Sequence, residues 1–109
     1  MRTIYIVKST LPTIESARDL ARILVEEKLA ACVQIGAKME SAYAWNGEIR
    51  IDEEYPISIK TSAAAMEKLE ARFRELHPYE CPQWAAITAE ASKGYANWVK
   101  EYCTCGVCQ

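Results

Sequence analysis

The chain has 109 residues, half of them hydrophobic and 26% charged, with a formal net charge of −2. That is the length and composition of one globular domain, which excludes whole-chain disorder, and folding should bury roughly 60–70% of the unfolded surface. Positive and negative residues are interspersed, which argues against nucleic-acid binding, because phosphate neutralisation needs a basic face.

The opening segment Thr3-Ile4-Tyr5-Ile6-Val7 is β-branched and aromatic and predicts a buried strand, broken by Ser9-Thr10-Leu11-Pro12-Thr13. Thr13 predicts a helix N-cap with Glu15 in the first turn, and Ile14, Ala17, Leu20, Ala21, Leu24 and Val25 recur at helical spacing. The helix is expected to finish near Lys28, a cation at the negative end of the dipole. Leu29 to Ile35 reads as a second strand, interrupted at Gly36 and resuming at Met39. Asn46-Gly47 predicts a type I′ turn, because both residues tolerate positive φ. Such a turn pairs Trp45 with Glu48 and Tyr43 with Arg50, and sets Ala42 and Ala44 against Ile51 and Ile49. The return strand runs from Glu48 toward Thr61, with Pro56 at a bulge or an edge. Both faces of this ribbon are apolar or aromatic. A two-stranded ribbon is marginal alone in water, so it is expected to pack on another subunit.

Ser62 predicts the cap of a second helix whose apolar stripe is Met66, Leu69, Phe73 and Leu76, and Pro78 stops it. After the His77-Pro78-Tyr79-Glu80-Cys81-Pro82 loop, Trp84 to Ala91 predicts a strand. A last helix carries Tyr95, Trp98, Val99 and Tyr102 on one side. The order βαββαβ plus a C-terminal helix is the α+β, ferredoxin-like split-βαβ plan. Residues 1–102 read as that domain, and 103–109 as a Cys-rich C-terminal tail outside it.

No run of ~18 apolar residues occurs, so no helix is expected to span a membrane. The N-terminus lacks the signal-peptide pattern. Five cysteines is an odd count, with three in the last seven residues, which argues for reduced thiols and a cytoplasmic location.

Several short motifs then resemble one family. Leu24-Val25-Glu26-Glu27-Lys28-Leu29-Ala30-Ala31-Cys32-Val33 is similar to the helix-to-strand passage of the CutA divalent-cation-tolerance proteins. Ser41-Ala42-Tyr43-Ala44-Trp45-Asn46-Gly47-Glu48-Ile49 resembles that family's S-x-Y-x-W-x-G ribbon. Ile59-Lys60-Thr61, the His77-Pro78-Tyr79-Glu80-x-Pro82 loop and Tyr95-x-x-Trp98 follow in the same order. The resemblance covers nearly the whole chain to about residue 102. It implies a tight homotrimer with the long hairpins wrapped between subunits, and an association with tolerance to copper and other divalent ions. It also implies a shape similar to the PII signalling trimers, which bind small effectors in clefts between subunits. In copper-binding members a cysteine before the first helix is paired with histidines before the proline loop. The corresponding positions here are Ser9, Leu76 and His77, of which only His77 is a first-choice ligand for a borderline metal.

His77, the only histidine, reads either as a ligand residue or as a cation at a helix C-terminus. Cys32 reads as a small buried hydrophobe or as a pocket-lining thiol. Trp45 and Tyr79 are candidates for stacking on a ligand or for packing. Lys60 and Glu80 are candidates for pairing with each other or with a ligand. In the tail, Cys103, Cys105 and Cys108 form a C-x-C-x-x-C pattern whose thiolates suit Cu(I) or zinc, against a plain tail as the alternative.

Catalysis is not expected. The chain has no G-x-x-x-x-G-K-[ST], G-x-G-x-x-G or G-x-S-x-G pattern. Cys81 and His77 can be drawn as a nucleophile pair but lack an evident orienting group. An RNA-recognition domain shares the element order but needs a basic, aromatic third strand, where this chain has Glu48-Ile-Arg-Ile-Asp-Glu-Glu54. Two functions follow from the sequence. One is a trimer that binds copper or another divalent or soft ion. The other is a PII-like sensor or scaffold whose clefts near Cys32, Lys60, His77 and Tyr79 take a small ligand.

Overall fold

A β-rich start and a capped amphipathic segment set the first two elements of the chain. A computed structural model describes residues 2–103. The elements are β1 (Thr3–Leu11), α1 (Ile14–Glu26), β2 (Cys32–Ile35), β3 (Met39–Trp45), β4 (Glu48–Thr61), α2 (Met66–Leu76), β5 (Ala85–Glu90) and α3 (Lys93–Tyr102), with a 3-10 turn at Ala63–Ala65 before α2. The five-stranded sheet has the order β2-β4-β1-β5, with β3 paired to the far half of β4. All pairs are antiparallel. The α+β plan read from the sequence is the observed one.

Thr13 caps α1 through a capping box with Ser16, each side chain taking the other's backbone N–H. The helix stops at Glu26 because Lys28 turns into left-handed backbone at φ 62°. The Lys28 N–H then bonds the Val25 carbonyl and the Leu29 N–H the Leu24 carbonyl, so the last helical carbonyls are satisfied. This wrap consumes Leu29 to Ala31, and the second strand begins at Cys32 rather than at Leu29. Ser62 also differs from expectation. It makes no side-chain cap, and its hydroxyl instead donates to the Cys103 carbonyl at 3.4 Å.

On β1 and β4, Val7 pairs with Ile59 and Leu11 with Tyr55, which puts these residues on one face of the sheet. Together with Ile57 they pack against Leu20 and Leu24 of α1 and Leu69 and Phe73 of α2. The opposite face carries Ile4 and Ile6, which join Ala96, Val99 and Tyr95 of α3 in a second cluster. Cys103 belongs to that second cluster and is 1% exposed. The domain therefore runs through Cys103, one residue beyond the expected boundary, and this thiol is core rather than tail. Cys105 and Cys108 lie outside the described residues.

The ribbon forms as the Asn-Gly turn dictates. Asn46 and Gly47 have φ of 51° and 78°, and the register is Trp45 with Glu48, Ala44 with Ile49, Tyr43 with Arg50 and Ala42 with Ile51. It stretches the chain to 44 Å, against 26 and 23 Å in the other directions. Pro56 sits in the interior of the sheet rather than on an edge strand, since β4 is paired on both sides. It is tolerated because it falls at the break between β2 and β3, where its carbonyl takes the Gly36 N–H at 2.8 Å. A Cβ on Gly36 would lie 2.8 Å from the Pro56 ring, so the close approach requires glycine.

Candidate functional site

The pairing of β1 with β5 stops at Lys8, whereas its pairing with β4 continues to Leu11. Beyond that point the Thr10 carbonyl has a side chain for a partner, since His77 Nε2 lies 2.7 Å from it. The Tyr79 backbone N–H donates to His77 Nδ1 at 3.1 Å. A nitrogen that accepts an N–H bond carries no proton, so His77 is the neutral tautomer protonated on Nε2. Burial pushes its pKa below the ordinary imidazole value, outweighing the opposing pull of the Thr10 carbonyl and the Glu54 charge.

Glu54 completes this hub. Its Oε2 accepts from Thr10 Oγ1 at 3.0 Å and from the Tyr79 hydroxyl at 2.9 Å. Burial, and then the bond to Glu54, raise the Tyr79 pKa well above the usual phenol range. The His77 ring also stacks obliquely between Phe73 and Tyr79, at 5.1 and 4.9 Å between centroids. Sequence reasoning missed Glu54, because Asp52-Glu53-Glu54 reads as a solvated acidic run. The available signal was its place two residues before Pro56, just past the last β1-paired residue, Tyr55.

A second constellation lies on the sheet face opposite α1 and α2. Cys32 is half-buried and stands across from Lys60. The Lys60 ammonium donates to Gln34 Oε1 at 2.8 Å and lies 5.9 Å from the centre of the Tyr95 ring. Lys60 and Glu54 are separated by about 20 Å of extended strand at ~3.3 Å per residue, so the two constellations are distinct within one chain. Trp45 is half-buried at the ribbon tip. Glu80 is exposed and lines a cavity of about 100 Å³ with Glu70, Phe73, Arg74, Cys81 and Trp84. The six expected ligand-binding residues thus divide: His77 joins Tyr79, and Cys32 joins Lys60. Trp45 and Glu80 stand apart, and no Lys60–Glu80 ion pair is found among the described residues.

The copper site that the resemblance implies does not fit these side chains. Both nitrogens of His77 are occupied by hydrogen bonds, and Leu76 offers no donor atom. Ser9 is 2% exposed on the face that meets α1 and α2, and its hydroxyl has no hydrogen-bond partner. A neutral hydroxyl does not replace a thiolate for a soft ion. Cys103, the first expected thiol ligand, is enclosed in the core. Among the described residues no group of three or more His, Cys, Asp or Glu side chains is placed to hold a metal ion.

The architecture defines a class, a ferredoxin-like α+β subunit extended by a long hairpin. The chain belongs to the CutA1 divalent ion tolerance protein family, whose model matches residues 5–102. It is 42% identical over 97 residues to the divalent-cation tolerance protein CutA of Thermus thermophilus, covering 88% of this chain and 94% of that one. It is 36% identical to human protein CutA over 93 residues, 84% of this chain and 52% of that longer one. Among solved structures, a divalent cation tolerance protein from Thermus thermophilus superposes with a TM-score of 0.87 at 41% identity, covering 91% of this chain and 97% of that chain. A protein described as PII-like CutA, from Nostoc, gives 0.84 at 35% identity, covering 90% and 95%. A relative from Archaeoglobus fulgidus, described as periplasmic, gives 0.86 at 30% identity, covering 92% and 98%. No helix among the described residues is long and apolar enough to cross a membrane.

Proposed function

We propose that this protein is a cytoplasmic homotrimer that contributes to divalent-cation tolerance by binding copper or another divalent or soft ion, without catalysing a reaction. The observation that carries the assembly is the ribbon. Ile49 and Ile51 on one face are 78% and 66% exposed, and Tyr43 and Met39 on the other are more than a third exposed. On the first face Ala44 and Ala42 stand across from Ile49 and Ile51, and an exposed apolar patch of this kind marks an interaction site. The curated relatives' names supply divalent-cation tolerance. Because His77 is spent on its buried hub, the donors left to an ion include the Cys105 and Cys108 thiols, the exposed Cys81 thiol and side chains brought together where copies meet. The test is native mass spectrometry of the reduced protein with graded Cu(I), Cu(II) and Zn(II), beside a chain ending at Cys103, which keeps the core thiol. Metal-loaded trimers of the full chain support the proposal, and their loss in the shorter chain assigns the ion to the tail. Metal-free species throughout overturn the metal role.

A second reading has its own observation. The half-buried Cys32, Lys60 and Tyr95, with the exposed Gln34 beside them, lie on a sheet face that the chain covers only in part, as expected of an effector site in a PII-like sensor or scaffold. Such a site is expected at a subunit boundary, where small-molecule pockets commonly form. Stabilisation by a small organic ligand with unchanged metal behaviour would favour it.

A further inference from the structure

The sheet face opposite α1 and α2 holds two lysines on its central strands. Lys8 of β1 stands across from Ser58 and donates to its Oγ at 2.7 Å. Lys60 of β4 stands across from Ile6 and donates to Gln34 Oε1 at 2.8 Å. Since Lys60 lies two residues beyond Ser58, the two lysines are diagonal neighbours on one face, ~7–8 Å apart at the backbone. Their neighbours there are Ile6, Cys32, Gln34, Ser58 and Ala85, none of them acidic. Neither ammonium takes part in an ion pair among the described residues, whereas Arg22, Lys38, Arg50, Arg72 and Arg74 each meet a glutamate.

Both ammonium groups are held in place by neutral oxygens, and an ammonium has three N–H donors, so each keeps donors for a further acceptor. The Tyr95 ring beside the Lys60 ammonium adds a cation–π contact. Like charges on a diagonal repel, and a doubly charged anion placed between them turns that repulsion into two charge-assisted contacts. The flank is apolar, because Ile87 pairs with Ile6 on this face and is 50% exposed.

We propose that Lys8 and Lys60 form the cationic floor of a site for a small dianion, with an apolar flank at Ile6 and Ile87 for the body of the ligand. The proposal rests on the effector reading above and names its chemical class. Phosphate and dicarboxylate groups share this chemistry, so pyrophosphate and succinate are the two probes. Each is titrated into the full-length protein by calorimetry at ionic strength matched with sodium chloride. One or both should bind the wild type, with affinity reduced at least tenfold in Lys8→Gln and in Lys60→Gln and lost in the double variant. Lys8→Arg and Lys60→Arg keep the charge and should stay within about threefold of the wild type, which separates charge loss from misfolding. Equal affinity in the wild type and the folded double variant overturns the proposal. So does the absence of binding by either anion. In that last case a set of neutral fragments is screened by the amide shifts of Cys32 and Lys60. Shifts with neutral compounds keep an effector site and reject the dianion, and none at all reject both.

Discussion

Replacing Ile49 and Ile51 by serine tests the ribbon as an assembly surface. Full burial of an isoleucine side chain contributes ~1.5–3 kcal/mol. At 78% and 66% exposure in the chain, the pair has about 2–4 kcal/mol per subunit still to gain on being covered. Three equivalent ribbons bring the loss in the double variant to ~7–13 kcal/mol per trimer. Each 1.4 kcal/mol is tenfold in an equilibrium constant, so the trimer constant falls by about five decades or more. The concentration at which trimers dissociate varies as the square root of that constant, and should rise at least ~300-fold. Mass photometry over a dilution series reads this directly, with circular dichroism to confirm that the subunit stays folded. Dissociation at the wild-type concentration would refute the role given to these side chains.

Three further perturbations bear on the subunit itself. His77→Ala leaves the Thr10 carbonyl and the Tyr79 N–H without their partner and should cost ~2–4 kcal/mol of stability, measured by urea unfolding. Because burial lowers the His77 pKa in the folded chain, the neutral ring's contribution is complete above the unfolded value of 6.5 and declines as pH falls below it toward the folded pKa. Stability of the wild type should therefore drop between pH 7 and 5 more steeply than that of His77→Gln, and parallel profiles would reject the neutral tautomer. Gly36→Ala drives a methyl into the Pro56 ring and should destabilise by about 1–3 kcal/mol, and an unchanged melting temperature would contradict the close approach. A thiol reagent should label Cys81 quickly, Cys32 more slowly and Cys103 only on unfolding, as peptide mapping can show. Rapid labelling of Cys103 in the folded protein would return it to the tail.

The elements were legible wherever local chemistry and hydrophobic period agreed. Asn46-Gly47 with alternating neighbours specified the ribbon to the residue pair, and Thr13 specified the start of α1. The misplacements have two causes, a left-handed helix stop at a residue other than glycine and nonlocal contacts that overrode local pattern. Lys28 carries the left-handed turn that usually falls to glycine, so Leu29 to Ala31 resembled strand while serving as the helix stop. Cys103 looked like tail because its sequence neighbours are cysteines, yet the Ser62 hydroxyl and the α3 packing hold it in the core. The His77 loop was visible as a motif, but its purpose was not. Glu54 and Thr10 reach it from β4 and β1, and only the strand register brings them together. For the same reason the diagonal placement of Lys8 and Lys60 on one face was not read from the sequence, where they are 52 positions apart.

The exposed ribbon should be covered by further copies of this chain. Light scattering coupled to size exclusion at micromolar concentration tests it most directly. A homotrimer should elute as a single species of three times the 12.3 kDa chain mass. A species at the mass of one chain would contradict it.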